Sequence, residues 1–402
     1  MSTIRLLTGA AYGTHFADQT ALVAVPLIAA LVFDASPAVI GALAACQSMA
    51  HLLGSLPFGV LVDQKQLRTL AIASALIATL GFSGASLSIL WGTIIGFGLT
   101  VTAAGFGAVL FVLTALSILP KSVPPEGLAK ANSAIEIPRA LCSFIVPLGV
   151  GLAISTLPAW TFFATASLAA LLALSFTLHV PTFEVTPVAR QPIAKRIWDG
   201  GRYVVGHALL LPISICAVFW NLAFAALLVV LLPALTTLFF FDPGAFGIAL
   251  SAFGLAAIAG TWLIGRLANR IAPAVILLFG PGSTALAAFG LLMIGPETPV
   301  FALYLCIFIM GFGPAMWLIT QNSVRQLVTP PALLGRVNAV IQTAIYGIRP
   351  LGALLGGFIT SSAGPWNGLL FVAIAFGLSF ATALFSPLRS VRAYEVLRPE
   401  PS

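Results

Sequence analysis

The sequence predicts an all-α membrane protein of twelve transmembrane helices in two pseudo-symmetric six-helix bundles, and three observations predict it. The 402 residues are 60% hydrophobic and 7% charged, with a mean hydropathy of +1.09. That is far more apolar surface than one water-soluble core hides. Twelve apolar windows, separated by short polar turns, reach the roughly 20 residues a helix needs to cross about 30 Å of hydrocarbon. The chain also repeats its glycines and prolines at a constant interval.

The windows run in order as follows. The first, 6–32, follows Arg5 and carries His15, Asp18 and Gln19. It is too long, and too poorly supplied with a cleavage site, for a removable secretory signal, so it reads as a permanent helix. The second, 39–62, lies beyond the turn FDASP (33–37) and holds Gln47 and His51. GVLVDQKQLR (59–68) closes it, concentrating Asp63, Lys65 and Arg68 ahead of the third window, 70–90. The fourth, 93–118, contains no arginine, and the fifth, 128–154, holds Glu136 and Arg139. The sixth covers 159–179. A polar stretch, 181–207, with three prolines and four cationic residues, reads as the linker between halves. Within it KRIWDGGRYV reads either as a helix at the cytoplasmic membrane surface, basic residues near anionic headgroups, or as part of a plain tether.

In the second half, 208–240 includes Trp220 and Asn221, and 244–265 lies between FDPG (241–244) and the pair Arg266 and Arg270. The windows 272–294 and 298–324 follow, the latter with Trp317, Gln321 and Asn322. The eleventh, 333–361, is entered through TPPALLGRVN and carries Gln342, Tyr346 and Arg349 ahead of Pro350; the twelfth is 366–386.

The net charge of +7 is topological rather than a nucleic-acid footprint, because no basic patch or groove gathers it. Sixteen of the eighteen Lys and Arg residues lie near the termini or in and beside alternate loops. By the positive-inside rule this places both termini and the even-numbered loops in the cytoplasm, and it works only for an even number of spans. Cys46, Cys142, Cys216 and Cys306 all fall inside apolar windows at no metal-like spacing, so neither a disulfide nor a metal is expected.

A shift of 206 residues superimposes Pro37 on Pro243, Gly41 on Gly247, Gly54 on Gly260 and Gly59 on Gly265. The same shift carries Gly105-Phe106-Gly107 onto Gly311-Phe312-Gly313, VPPEGLAKAN (123–132) onto TPPALLGRVN (329–338), Gly151 onto Gly357 and Trp160 onto Trp366. Glycine and proline dictate bends and close approaches, so a constant offset implies two bundles built alike: 1–180 and 208–402, joined by 181–207.

Six plus six helices in parallel repeat, cytoplasmic ends, a basic central linker and GVLVDQKQLR between the second and third spans resemble the major facilitator superfamily over the whole chain. The family's loop signature is roughly G-x-L-x-D-R-x-G-R-R/K. Gly59, Leu61, Asp63 and Arg68 fit it, while Gln64, Gln66 and Leu67 depart from it. The second copy keeps Gly265 and Arg270 but has Asn269 where the acid would stand. Ala17-Asp18 and TPPALLGRVNAV most resemble the bacterial exporter branch of macrolide-efflux and enterobactin-exporter-like proteins. The resemblance implies alternating access and a conformational gate made by Gly59, Asp63, Arg68, Asn269, Arg270 and Arg336, in which Asp63 docks on the start of the eleventh helix beside Arg336. An anion gains about 0.3–1 kcal/mol at such a helix terminus. A local Asp63–Arg68 pair is the simpler alternative.

Four ionised candidates lie within spans: Asp18, Glu136, Arg139 and Arg349. Each costs roughly 2.5–3.5 kcal/mol in hydrocarbon even on lenient scales, so each needs a partner or a wet cavity. Asp18, Glu136 and His15 are the candidates for proton coupling, with a structural partnership to Arg139 or Arg349 as the other reading of Asp18. Glu136 and Arg139, three residues apart, share a helix face and read most simply as an internal pair. Arg349, with Gln342 and Tyr346 on its face, has the strongest claim to an anionic substrate, through paired hydrogen bonds; a bridge to Asp18 is its structural alternative. Arg139, His51, Asn221, Trp317, Gln321 and Asn322 complete the substrate-binding candidates, although many of these polar groups also suit helix-to-helix hydrogen bonds. PLGVG (147–151) and RPLGALLGG (349–357) read as hinges allowing close packing rather than as phosphate cradles.

No G-x-x-x-x-G-K-[ST] occurs, so a gradient rather than ATP must drive transport. The expected function is secondary transport in the bacterial inner (plasma) membrane, by a monomer without a cofactor: proton-coupled export of a small amphipathic or anionic organic molecule. An importer or facilitator of an organic acid is the nearest rival, and a transport-inactive receptor or scaffold a remote one. An enzyme is not expected, since no nucleophile, base and orienter stand in register.

Overall fold

The computed structural model describes residues 2–124, 128–183, 193–267 and 270–394. Among the described residues every regular element is helical: α1 (Thr3–Leu31), α2 (Pro37–Gln64), α3 (Leu67–Leu90), α4 (Ile94–Ser122), α5 (Leu128–Ala153), α6 (Trp160–Thr177), α7 (Ile193–Gly206), α8 (Leu210–Thr237), α9 (Ala245–Leu267), α10 (Pro273–Leu291), α11 (Val300–Val328), α12 (Pro331–Ala363) and α13 (Pro365–Leu384). Twelve of them, all but α7, are long and apolar enough to cross a membrane. They coincide with the twelve windows to within a few residues at each end, because in hydrocarbon a helix satisfies every backbone group internally and the apolar run dictates its extent.

The helix starts are written locally. α2, α10, α12 and α13 each begin with proline in the first turn, where the missing N–H has no intrahelical partner to lose. The tight reversal between α12 and α13 passes through Gly364 at φ +87°, a conformation that side chains rarely adopt.

The chain forms two compact units. Unit 1 comprises Met1–Ala189 with Asp242–Ser251, and unit 2 comprises Arg190–Phe241 with Ala252–Ser402. In unit 1, α1 packs on α5 and α6, and α3 on α4 and α6, with α2 against α4. In unit 2, α8 packs on α12 and α13, and α10 on α11 and α13, while α7 lies on α12 and α8.

The 206-residue repeat is visible as repeated contacts. A Cβ added at Gly105 would meet Ala50, and one added at Gly311 would meet Phe253 and Ala256. One at Gly54 would press on Phe106, and one at Gly260 on the Phe312 carbonyl; Gly107 lies against Ser74 and Ala78, and Gly313 against Gly280 and Ser283. Lipid tails are as apolar as leucine, so such close approaches, rather than hydrophobic burial alone, hold neighbouring spans together.

Candidate functional site

In unit 1 the candidate residues lie on α1 and α5. Gly9 and Gly13 turn one side of α1 onto α6: a Cβ at Gly9 would strike the Phe176 ring, and one at Gly13 would overlap the Ala169 carbonyl. Cys142 of α5 points its thiol at the Tyr12 carbonyl, 3.9 Å away. One turn beyond Tyr12, His15 is buried, within electrostatic reach of Asp18, Glu136 and Arg139. All three proton-coupling candidates of the sequence therefore share one neighbourhood with Arg139. Arg139 Nε donates to Glu136 Oε2 at 2.6 Å, and both side chains are more than half exposed, 58% and 55%. An exposed pair of this kind is worth only about 0.3–0.5 kcal/mol, so its consequence lies in where it puts charge rather than in stability. Asp18 itself is half-buried.

In unit 2 the corresponding work is done by α8 and α12. Gly352 and Gly356, four residues apart, let the α12 backbone descend onto α8: a Cβ at Gly352 would overlap the Leu222 carbonyl, and one at Gly356 would strike Ala226. That approach places Arg349, one turn earlier, against Asn221, the residue before Leu222. Arg349 Nε donates to Asn221 Oδ1 at 2.9 Å, while Asn221 Nδ2 donates back to the Ala217 carbonyl of its own helix at 2.8 Å. Asn221 is thereby held with its oxygen toward the cation, and it is buried. The guanidinium carbon also stands 5.8 Å from the centroid of the Tyr346 ring, a cation–π distance. Gln342, lower on the same helix, is exposed.

Other candidates serve the interior of unit 2. Gln321 is buried on α11, its Nε2 donating to Asn322 Oδ1 at 2.7 Å; the same oxygen accepts from Arg325 Nη2 at 2.7 Å. Trp317 has its Cβ against Gly280 and packs on the cluster around Ile213, Leu277 and Leu388. Trp220 stacks on Phe224 with ring centroids 5.0 Å apart and meets Phe376 edge-on. The indole N–H groups of both tryptophans are buried without a hydrogen-bond partner among the described residues.

Of the gate candidates, Arg68 donates through Nη2 to the Leu178 carbonyl at the end of α6, at 2.8 Å. Gln66 brackets the backbone of Phe183: its Nε2 donates to the carbonyl at 2.8 Å and its Oε1 accepts from the amide at 3.0 Å. Gln66 stands where the family signature has glycine, so the signature implies no such contact for it. Gly59 and its repeat partner Gly265 have open space where a Cβ would be. Arg270 is an exposed residue in the turn after α9. Arg336 donates to Asp199 of α7, 2.9 Å, and Asp199 was unmarked in the sequence. Asn269 lies outside the described residues, as do the side chains of His51 and Asp63 and the linker residues 184–192.

The profile of the Major Facilitator Superfamily matches residues 7–353. Among curated proteins, the chain is similar to the enterobactin exporter EntS of Escherichia coli O1:K1, with 26% identity over 338 residues, covering 81% of this chain and 79% of that one. It is 27% identical, over the same shares, to EntS of Escherichia coli O139:H28. Among solved structures, a POT family transporter in complex with 5-aminolevulinic acid superposes with a TM-score of 0.77 over 96% of both chains at 12% identity. The nucleoside transporter NupG gives 0.76 over 99% of both at 14% identity, and a D-xylose-proton symporter 0.74 over 98% of this chain and 99% of that one, also at 14%. At such identities the structural likenesses establish the fold.

Proposed function

The chain belongs to the major facilitator superfamily and is a multi-pass membrane transporter; from that premise we propose that it is a proton-coupled exporter of a small amphipathic or anionic organic molecule, working by alternating access in the bacterial inner membrane with both termini in the cytoplasm. The observation that carries this reading is Arg349, seated within a span and held by Asn221 and Tyr346. A guanidinium in that setting recognises a carboxylate, catecholate or phosphate through directed, charge-assisted hydrogen bonds. The similarity to enterobactin exporters supports the direction, export.

Proton coupling falls to unit 1. Asp18, His15 and Glu136 are titratable and share a neighbourhood with Arg139. A carboxylate that alternately faces dry and wet surroundings, or gains and loses a guanidinium neighbour, takes up and releases a proton as the carrier cycles. Two half-molecules rocking about a midplane site deliver that alternation without ATP. The gate residues Arg68 and Arg336 act by joining helices, Arg68 at the start of α3 to the end of α6 and Arg336 at the start of α12 to Asp199 of α7.

The test is transport by the purified chain in proteoliposomes with an imposed pH gradient. An amphipathic catecholate is expected to move against its own gradient as protons flow the other way. Transport indifferent to the gradient would exclude coupling. Movement of proton and solute in the same direction would instead favour the rival reading, uptake of an organic acid.

A further inference from the structure

Among the described α-helices α7 alone is too short and too polar to cross a membrane, and its two sides differ. The inner side is clasped to unit 2: Tyr203 donates its hydroxyl to the Val328 carbonyl at 2.8 Å, Asp199 pairs with Arg336 at 2.9 Å, and Gly200 is buried against the Arg336 backbone. Val204 joins Leu210, Val337 and Ile341 in a small apolar core. The outer side carries Lys195, Trp198, Arg202 and Val205, all exposed. At 100° per residue these four fall within about 80° of arc, a single stripe. Trp198 is 73% exposed and Val205 66%. An indole and a valine left bare on an ordered helix call for something apolar to cover them, and the flanking cations call for something anionic.

We infer that this stripe is a docking surface for the anionic phospholipids of the adjoining leaflet. Three observations favour that occupant. α7 ends at Gly206 and the membrane-crossing α8 begins at Leu210, so the stripe is tethered within a few residues of the bilayer surface. Its composition, one indole and one aliphatic side chain beside two long cations, suits the interface, where aromatic rings sit at headgroup depth and cations meet lipid phosphates. Elsewhere in the chain exposed tryptophans also mark helix ends: Trp91 closes α3, Trp160 opens α6, Trp366 stands in the first turn of α13, and Trp262 lies under Arg266 near the end of α9, 4.0 Å from the guanidinium carbon to the ring centroid. Behind the stripe a cleft of about 460 Å³, lined by Arg202, His207 and Arg336 with Asp199 and Tyr203, offers a headgroup phosphate further donors. Through the Asp199–Arg336 and Tyr203–Val328 contacts, lipid held on α7 would brace the start of α12, the helix that carries Arg349.

The inference does not depend on what is carried, and its test reads lipid rather than flux. The full chain is placed in nanodiscs of phosphatidylcholine with increasing phosphatidylglycerol, with either lipid brominated on its acyl chain. The Trp198 contribution is isolated by subtracting the signal of Trp198→Phe. Brominated phosphatidylglycerol is expected to quench that component preferentially. Lys195→Gln or Arg202→Gln should each raise the phosphatidylglycerol fraction for half-maximal quenching about fivefold, as one cation near an anionic surface implies. Equal quenching by both lipids, or no effect of either substitution, would overturn the recognition of anionic lipid. Quenching by aqueous iodide alone would make α7 a solvated tether. Shielding from iodide only after addition of soluble polyglutamate would assign the stripe to an acidic protein partner.

Discussion

The two units place polar groups on matching helices but charge them differently. In unit 1, α1 and α5 bring together His15, Asp18, Glu136 and Arg139. In unit 2, α8 and α12 bring together Asn221, Tyr346 and Arg349. The 206-residue offset carries Glu136 onto Gln342 and Arg349 back onto Ser143, so neither charge has a charged counterpart in the other repeat. Some glycine contacts are duplicated, Gly54 with Gly260, Gly105 with Gly311 and Gly107 with Gly313, whereas the ionisable groups are not, and the glycines that seat the candidate residues, Gly9 and Gly13 in unit 1 and Gly352 and Gly356 in unit 2, have no glycine counterpart. Close backbone approach is what two similar bundles both need; a titratable set and a fixed cation are needed once each. On the proposed reading, the repeat is a scaffold on which proton handling and anion binding are divided.

The largest effect should come from attacking the scaffold on one side only. Gly352→Val drives a branched side chain into the Leu222 carbonyl of α8, where the backbones leave no room. Overpacking of this kind typically costs about 1–3 kcal/mol, and more where, as here, the obstacle is backbone. Fluorescence-detected size exclusion after heating should show a large loss of folded protein. Gly149→Val in α5 meets open space and should leave the profile close to the parent's. Equal sensitivity at both positions would mean that the packing asymmetry is not real.

Next in size is the proposed division of labour. Asp18→Asn keeps shape and hydrogen bonding while removing the proposed proton site. Gradient-driven accumulation in proteoliposomes should fall by about two orders of magnitude, the lower range seen when a proton-transfer group is lost, while substrate exchange at equal pH on both sides persists. Loss of both activities together would place Asp18 among structural or binding groups instead. Arg349→Lys should do the reverse, weakening substrate binding about tenfold with coupling retained. The lysine keeps the charge but not the planar fork that meets Asn221 and an oxyanion together. Asn221→Ala should weaken binding less, about threefold, as the loss of one positioning hydrogen bond with a net value of about 0.7 kcal/mol implies.

The spans were legible because in hydrocarbon a single variable, the length of the apolar run, decides where a helix can lie, and the fold followed from the repeat of glycines and prolines. Neighbours within the site were less legible. That Glu136 and Arg139 would meet follows from spacing on one helix, and the pair is present at 2.6 Å. That Arg349 would rest on Asn221, 128 residues away, depends on how far Gly352 lets α12 sink onto α8, a distance no one-dimensional pattern encodes. The contacts of Gln66, which in the sequence is only a departure from the loop signature, and of Asp199 are hidden for the same reason. Each is an ordinary polar residue whose importance comes from a partner far along the chain, Phe183 in one case and Arg336 in the other. Trp317 and Gln321, marked as binding candidates for their chemistry, are packed inside unit 2.

The smallest expected effect tests whether the asymmetry reaches the entrances of the two units. α1 starts at Thr3 with no side-chain hydrogen bond capping it. α8 starts under His207, whose Nδ1 accepts from the amides of Leu209 at 3.1 Å and Leu210 at 3.4 Å. Only a neutral ring can accept at Nδ1, and burial pushes the His207 pKa below its ordinary value of 6.5. The folded state therefore favours the neutral form. The stabilisation is complete above pH 6.5 and declines as the pH falls through the depressed pKa, where proton uptake converts the acceptor into a donor facing two amides. Arg202 and Arg336, which line the same cleft, disfavour a third cation there, while Asp199 partly offsets them. The cap is worth about 1 kcal/mol by analogy with helix caps generally. Hydrogen exchange at Leu209 and Leu210 should accelerate several-fold, relative to the intrinsic rate, between pH 7 and pH 5, with no matching change in the first turn of α1. His207→Ala should show the faster exchange at both pH values, and a pH response that survives this substitution would locate the sensitivity elsewhere.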